Sequence, residues 1–228
     1  YLSQSFSADT LNGGDGIDTV DYSTQNGNVI VNLGSTSFVS NTTTSGSFTV
    51  ASGTAQDGFG RVDTLISIEN VRTGSGNDVV VGSSADNRIV THTGRDSVNA
   101  GDGQDTVFAG GGDDVVMGGN GNDWIDAGEG NDTVNLSVVN AANGNSGEGQ
   151  IHATVAGGAG YDVVNVQGGY NDNLTLSGVE EVNAGQTWTG VTITADADLA
   201  TATLGEGNDS LTVTSVGADV STSVDAWD

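Results

Sequence analysis

Aspartates recur at a fixed interval in the middle of this chain, and each of them follows a turn-forming stretch that is usually rich in glycine. Their spacing is nine residues or twice nine, and Asn87 stands at the one step that lacks an aspartate. The series is Asp78, Asp96, Asp105, Asp114, Asp123 and Asp132. Carboxylate and backbone carbonyl oxygens are the ligands that hard cations such as calcium prefer in proteins. The spacing therefore predicts metal coordination.

The residues around each aspartate repeat with it. An aliphatic residue comes two positions later, as in Val80, Ile89, Val98, Val107, Val116, Ile125 and Val134. Glycine comes two positions earlier at Gly76, Gly94, Gly103, Gly112, Gly121 and Gly130, with Ala85 as the exception. Glycine also comes four positions earlier at Gly74, Gly101, Gly110, Gly119 and Gly128. Because glycine permits a positive φ and close backbone approach, the pattern predicts a tight turn before each short strand.

Catalysis is not predicted from these acids. A glycosidase needs one pair of carboxyl groups set apart in a site, whereas here the acids repeat along the chain. The two histidines, His92 and His152, belong to no His-Glu-x-x-His zinc motif and no nucleophile–base pair, and the chain has no cysteine. We therefore expect a protein segment that is not an enzyme.

Three stretches carry a full nine-residue motif that resembles the RTX (repeats-in-toxin) family, whose nonapeptide is Gly-Gly-x-Gly-x-Asp-x-(large apolar)-x. They are Gly13–Asp21, Gly118–Asp126 and Gly157–Asn165. A further unit at 205–211 contains Asp209, with Leu204 in place of the first glycine. The resemblance implies a right-handed parallel β-roll, or β-helix solenoid, in which calcium ions lie between stacked turns. It also implies export by type I secretion and folding in extracellular calcium.

The resemblance also implies a set of ligands. The aspartates are Asp18, Asp78, Asp96, Asp105, Asp114, Asp123, Asp132, Asp162 and Asp209. The glycines of the turns are Gly14, Gly16, Gly74, Gly76, Gly101, Gly103, Gly110, Gly112, Gly119, Gly121, Gly128 and Gly130. Several Ca²⁺ ions are expected, held by carboxylates and turn carbonyls from both turns of a stacked pair.

The elements that position these ligands follow from the repeat. The three residues centred on the aliphatic form a strand whose middle side chain points inward. Two nonapeptides make one coil, so equivalent turns stack every eighteen residues. The prediction is a ladder of Asp78, Asp96, Asp114 and Asp132 along one edge, and of Asn87, Asp105 and Asp123 along the other. We expect the best sites at the Asp105–Asp123 and Asp114–Asp132 levels, and weak sites at the Asn87 and Asp96 turns.

We divide the chain into three parts. Residues 1–72 form N-terminal β-coils with one repeat and a Ser/Thr/Gly-rich loop, residues 73–135 form the regular β-roll, and residues 136–228 form β-coils with degenerate repeats. Strands are predicted at 28–33, 62–71 and 174–182, and loops near 35–60 and 140–150. If a helix exists, residues 195–203 are its place. The start at Tyr1 without Met suggests a segment of a larger protein.

The composition limits the kinds of molecule that the chain is expected to bind. Thirty acidic residues stand against four arginines and no lysine, for a formal charge of −26, which disfavours nucleic acid and anionic membranes. No apolar run approaches the length of a membrane helix, so membrane insertion is not expected. With 37 glycines and few large apolar residues, the chain alone should be poorly ordered, and bound cations should supply the missing stability.

Two functions remain open. One is an extracellular structural module of a bacterial surface protein such as an S-layer, adhesin or filament protein. The other is a C-terminal folding and secretion module of a type I-secreted exoenzyme such as a protease, lipase or epimerase. The Ser/Thr/Gly loops favour the first. Besides calcium, the partners we expect are further copies of the chain or a cell-surface polysaccharide.

Overall fold

The computed structural model describes residues 2–3, 7–42, 46–137, 139–140, 145–146, 151–168, 172–186, 190–205, 208–214 and 223–225. These residues form strands and turns, and no helix occurs among them. The helix considered for residues 195–203 is therefore wrong, because this part of the chain ends one strand at Ala195 and forms another from Thr201 to Leu204. Within these ranges, no helix is long and apolar enough to cross a membrane.

The strands run in chain order as follows. The first thirteen are β1 (Leu2–Ser3), β2 (Thr10–Asn12), β3 (Thr19–Asp21), β4 (Ile30–Asn32), β5 (Phe38–Thr42), β6 (Gly46–Val50), β7 (Thr54–Gln56), β8 (Val62–Ile66), β9 (Asn70–Arg72), β10 (Val79–Val81), β11 (Arg88–Val90), β12 (Ser97–Asp102) and β13 (Thr106–Gly111). The others are β14 (Val115–Asn120), β15 (Asn122–Glu129), β16 (Thr133–Ser137), β17 (Val139–Asn140), β18 (Asn145–Ser146), β19 (His152–Ala159), β20 (Val163–Gln167), β21 (Asp172–Ser177), β22 (Glu181–Gln186), β23 (Val191–Ala195), β24 (Thr201–Leu204), β25 (Ser210–Val213) and β26 (Ser223–Asp225).

Two long sheets contain most of these strands. The first sheet has ten strands in the order β1-β3-β9-β11-β13-β15-β19-β21-β23-β25, and all of its pairings are parallel. The second sheet has twelve strands in the order β2-β8-β7-β4-β10-β12-β14-β16-β20-β22-β24-β26. The chain alternates between the sheets through the regular block, so each pair of strands completes one coil. The predicted all-β parallel roll is confirmed.

The register matches an eighteen-residue coil. In the second sheet Val80 pairs with Val98, Val98 with Val116, and Val116 with Val134. Their side chains are at most 2% exposed, and they pack inside the roll with the aliphatic residues of the first sheet, such as Ile125. Burying each such side chain contributes about 1.5–3 kcal/mol. The inward position of the aliphatic residue therefore fixes which neighbours point outward and where each turn begins.

The N-terminal part departs from a purely parallel roll. Strand β7 lies between β4 and β8 in the second sheet and is antiparallel to both. Strands β5 and β6 form a separate antiparallel hairpin. The loop predicted for residues 35–60 is thus wrong in part, because three strands lie within it. In the other predicted loop, β17 and β18 pair at residues 139–140 and 145–146, and residues 141–144 and 147–150 lie outside the described residues.

Candidate metal sites

Five of the six aspartates in the regular block directly precede a strand, and Asp123 is the second residue of β15, so a strand holds each of them in place. Asp114, for example, precedes β14, whose Val116 is fully buried in the core. Side chains two residues apart on a strand point to the same face, so the aspartate side chain is also directed inward. Asp78, Asp96, Asp105, Asp114, Asp123 and Asp132 are all at most 4% exposed. Burial of this many carboxyl groups requires compensating partners.

The first ladder lies where the chain passes from the first sheet to the second. The backbone N–H of Asp78 donates to Oδ1 of Asp96 at 2.7 Å, and that of Asp96 donates to Oδ1 of Asp114 at 2.7 Å. Asp114 donates in the same way to Asp132 at 2.8 Å. The predicted order of these four residues is therefore present, and each carboxylate is tied to the turn before it.

This ladder is longer than the prediction. The N–H of Asp132 donates to Oδ1 of Asp162 at 2.8 Å, although the two are 30 residues apart. The N–H of Asp162 donates in turn to Oε2 of Glu180 at 2.8 Å. At the other end, Val29 donates its N–H to Oδ1 of Asp78. Asp162 is thus a continuous part of the first ladder, beyond the regular block.

The second ladder lies on the opposite edge and is short. Asn87 donates its N–H to Oδ1 of Asp105 at 2.8 Å, and Asp105 donates to Asp123 at 3.0 Å. Asp123 then pairs in register with Ala153, which has no carboxylate. At the Asn87 level the side-chain amide donates to the carbonyl oxygen of Glu69 at 2.7 Å. The side-chain amide of Asn87 is therefore satisfied by a hydrogen bond, and this level of the ladder has no carboxylate from residue 87.

The second carboxylate oxygen of most ladder residues has no hydrogen-bond partner in the described part of the chain. In the ladders these buried oxygens are Oδ2 of Asp78, Asp96, Asp105, Asp114, Asp132 and Asp162, and Oδ2 of Asp172, outside the ladders, is buried in the same way. An unpaired buried carboxylate is strongly unfavourable, so such groups are expected to be neutral or to coordinate a metal. One oxygen is thus used to join the turns, and the other is free to coordinate a cation. The residues present fit a calcium ion in this respect.

Burial changes the acidity of the same groups. It raises the pKa of Asp96, Asp105 and Asp114 to about 7. It raises the pKa of Asp78, Asp123 and Asp162 to about 6, and that of Asp132 and Asp172 above the usual value for an aspartate. Neighbouring carboxylates add to the effect, as those of Asp96 and Asp132 do for Asp114. Without a cation, the ladder therefore holds its negative charge poorly near neutral pH.

Backbone carbonyl groups provide further oxygens at each level. Gly112 and Gly130 have φ values of 123° and 139°, and a Cβ at Gly130 would collide with the carbonyl oxygen of Gly112. The same collision would occur between Gly121 and Gly103 on the second edge. The glycines are thus required because a carbonyl of one turn lies against the Cα of the next. Among the described residues, no three acidic or histidine side chains form a metal cluster, so an ion between turns would need these carbonyls.

One turn of the first ladder is irregular. His92 stands four residues before Asp96, where the following turn has Gly110, and it keeps a left-handed φ of 70°. A Cβ at Gly110 would collide with the carbonyl oxygen of His92, so the backbone follows the same path as at the glycine turns. A histidine in this conformation is strained where glycine is not. The predicted weakness of the Asp96 turn as a metal site remains a prediction.

Two predicted ligands have no ladder aspartate beside them. The backbone N–H of Asp18 donates to Oε2 of Glu69 at 2.8 Å, and a Cβ at Gly14 or Gly16 would meet no atom within 4 Å. Oδ1 of Asp209 accepts a hydrogen bond from the N–H of Val191 at 2.8 Å. The structure therefore stacks neither aspartate against another aspartate.

Other residues were missed in the sequence. Asp172 is 1% exposed and accepts the N–H of Ile151 at 2.8 Å. Its segment, Gly168-Gly169-Tyr170-Asn171-Asp172-Asn173-Leu174, keeps the glycine four positions before the aspartate and the aliphatic residue two positions after it. Tyr170 replaces the glycine two positions before, and the remaining likeness could have identified the segment.

An outer ladder was also missed. Oδ1 of Asn77, Asp113 and Asn131 accepts the N–H of Arg95, Asn131 and Tyr161, respectively, at 2.9–3.1 Å. Each of these acceptors directly precedes a ladder aspartate. The recurrence of Asn or Asp at this position was the available signal. The outer ladder joins turns in the direction opposite to the inner one, since here the side chain accepts from the turn that follows.

Comparison with known proteins agrees with this geometry. The model of the RTX calcium-binding nonapeptide repeat matches four copies in the chain, over residues 6–26, 72–107 and 108–137. The matched ranges contain both ladders from Asp78 to Asp132, whereas Asp162 and Asp172 lie beyond them. A search of curated proteins found no match.

Proposed function

Because this chain carries RTX calcium-binding nonapeptide repeats, we propose that it is a calcium-folded structural module of an extracellular bacterial surface protein and has no catalytic role. The observation that carries the proposal is the row of buried aspartates, most of which have one oxygen without a hydrogen-bond partner in the described part of the chain. Calcium accepts six or more oxygen ligands in flexible geometry, which suits a mixture of carboxylates and turn carbonyls. Such ions would neutralise the acids that the fold buries.

The ladders support a particular distribution of ions. Five hydrogen bonds connect the carboxylate-bearing levels of the first ladder from Asp78 to Glu180. On the second edge, the Asp105 and Asp123 levels are adjacent and both acidic, and so are the Asp18 and Glu69 levels. We assign the strongest sites to the Asp114–Asp132 and Asp105–Asp123 levels, where both turns contain glycine two and four residues before the aspartate. The Asp132–Asp162 level has the same glycines and is a third such site.

The extracellular location is supported by charge and by calcium supply. Modules that bind calcium outside cells typically do so at about 10⁻⁴–10⁻³ M, far above cytosolic calcium. A chain with a formal charge of −26 would remain expanded at low calcium and would fold only where the ion is abundant. RTX repeats are typical of secreted bacterial proteins. The acids form periodic ladders, and this repetition supports a structural role over a catalytic one.

The test is calcium titration of the whole chain, followed by circular dichroism and isothermal titration calorimetry. We expect a largely disordered chain in chelator and a β-rich chain in millimolar calcium, because an ion that binds only the folded form stabilises it by mass action. Calorimetry should then give more than one bound ion. Full β content in chelator would refute the proposal.

A further inference from the structure

Two of the four arginines in the chain lie together on the outer face of the first sheet. Arg72 on β9 and Arg88 on the neighbouring strand β11 line a groove of about 360 Å³. Thr19, Asn70 and Val90 complete its lining. A chain of charge −26 thus places positive charge in one outward-facing concavity, away from the two turn edges.

The positive charge of this groove is only partly compensated. Nη1 of Arg72 is 3.7 Å from Oδ2 of Asp21, a long ion pair whose side chains are 33% and 20% exposed. For Arg88, no ion pair occurs with any residue that the structure describes, and its guanidinium lies 4.7 Å from the ring centre of Phe108. Exposed ion pairs contribute about 0–1 kcal/mol, so the Asp21 contact can be exchanged readily for another carboxylate.

Aromatic side chains extend the groove across the sheet. The rings of Phe108 on β13 and Trp124 on β15 have centroids 4.9 Å apart at an interplanar angle of 58°. Trp124 remains 37% exposed. Arg72, Arg88, Phe108 and Trp124, here called the arginine–aromatic stripe, therefore cross four adjacent strands, about 4.8 Å apart.

We propose that the arginine–aromatic stripe binds a saccharide chain that carries carboxylate groups. A guanidinium matches a carboxylate in a two-point hydrogen bond, and an exposed indole offers a flat apolar face to a sugar ring. Nucleic acid is disfavoured, because its dense charge would be repelled by the acidic surface around the stripe. A saccharide with widely spaced carboxylates meets much less of that repulsion. The stripe exists only in the folded roll, so this proposal rests on the proposed function.

The experiment is calorimetric titration of the whole chain with a hyaluronan hexasaccharide in millimolar calcium at physiological ionic strength. The neutral probe is chitohexaose. We expect binding of the acidic probe alone, weakened about tenfold by Arg88→Ala and comparably by Trp124→Ala. Arg88→Gln keeps the side-chain stem near Phe108 and should weaken binding to a similar extent, since the charge is lost.

The matched control is Arg95→Ala. Arg95 lies in the turn before Asp96, 3.8 Å from a carboxylate oxygen of Asp113, and its loss changes the net charge by the same amount. This variant should bind within about twofold of the unchanged chain. Equal losses in the Arg88 and Arg95 variants would mean that net charge alone matters, and the proposal would be wrong.

Three further outcomes would also overturn the proposal. The first is that hyaluronan does not bind to a chain whose circular dichroism shows that it is folded. The second is that chitohexaose binds as well as hyaluronan does. The third is that the Arg88 variant loses self-association while no form of the chain binds the saccharide. The last would assign the stripe to contacts between copies. A chain that fails to fold in calcium would instead refute the proposed function, and circular dichroism distinguishes that case.

Discussion

The two carboxylate oxygens of a ladder aspartate differ in their surroundings. Oδ1 of Asp114 accepts the N–H of Asp96, while Oδ2 is buried without a hydrogen-bond partner in the described part of the chain. Asp209 is less buried, and Oδ1 of its side chain accepts the N–H of Val191, which belongs to no ladder aspartate. Loss of a ladder residue should therefore affect both the stacking of turns and the binding of cations.

The first prediction compares these two aspartates. Asp114→Ala should raise the calcium concentration at the folding midpoint about three- to tenfold, because affinity follows the number of charged ligands. Asp209→Ala removes the same charge and should shift the midpoint less than about twofold. Calcium titration of both variants by circular dichroism is the measurement. A larger shift for Asp209→Ala would contradict the assignment of the ladder.

The second prediction concerns pH in the absence of calcium. A carboxyl group whose pKa is raised in the folded chain stabilises the fold when protonated. This contribution is complete below about pH 4, the ordinary aspartate pKa, and is lost as the pH rises through the folded values of about 6–7. Calcium-free chain should therefore gain β structure as the pH falls from 8 to 4.

Circular dichroism against pH on dialysed, calcium-free protein measures this effect. In Asp114→Asn, which lacks one titrating group of the ladder, the pH dependence should be smaller. The exposed Asp113 provides the control, because Asp113→Asn removes a neighbouring carboxylate but no buried ladder group, and it should reduce the dependence less than Asp114→Asn does. Folding by calcium should show the opposite pH dependence. The calcium concentration at the folding midpoint should rise as the pH falls below about 7, because protons compete with calcium for the same oxygens. A chain disordered throughout this pH range would contradict the prediction.

At the scale of one turn, glycine determines whether two coils can stack. Gly121 has a φ of 143°, and a Cβ there would collide with the carbonyl oxygen of Gly103. Gly111, the last residue of β13, lacks a positive φ, and its Cβ would have no atom nearer than 3.9 Å. The two positions therefore separate the effect of stacking from that of adding a methyl group.

The third prediction follows from this contrast. Gly121→Ala should lower the free energy of unfolding in saturating calcium by about 3 kcal/mol or more. Both the favourable backbone conformation and the close approach of the two turns are lost. Gly111→Ala should change it by less than about 1 kcal/mol in either direction. Urea unfolding of both variants provides the values. Similar losses in the two would show that the turns tolerate a side chain at the stacking position.

The repeating elements were predictable from the sequence, and the interrupted ones were not. A period of nine residues fixes strand, turn and inward position together, so both ladders followed from the spacing. Asp162 seemed isolated because its step from Asp132 is twelve residues longer than the regular eighteen. Asp172 was missed because a tyrosine, Tyr170, stands two positions before it, where the repeat has glycine. The antiparallel strand β7 lies in a Ser/Thr/Gly-rich stretch whose sequence contains no period to follow.

On the scale of the whole molecule, a cation could drive folding in two ways, by screening the net charge or by being coordinated between turns. A formal charge of −26 would be screened by any divalent cation. Calcium differs from magnesium in accepting more ligands in looser geometry, whereas magnesium requires an octahedron and retains its waters. The ladders offer irregular sets of carboxylate and carbonyl oxygens, which fit the first ion.

The fourth prediction is therefore that magnesium fails to fold the chain at concentrations where calcium succeeds, with a midpoint at least about tenfold higher. Parallel titrations by circular dichroism at constant ionic strength test this. Equal midpoints would show that screening of the net charge, and not coordination between turns, drives folding.

The eighteen-residue coil has a mechanical consequence. A coil occupies about 4.8 Å along the axis of the roll, but its chain can extend to about 60 Å when pulled straight. Under tension along the axis, a coil released from the end would therefore lengthen the tether by about 55 Å. The force needed for each step should rise with calcium, since an ion between two turns must be released first. A roll of this kind would extend in steps under load and recoil when the load is removed.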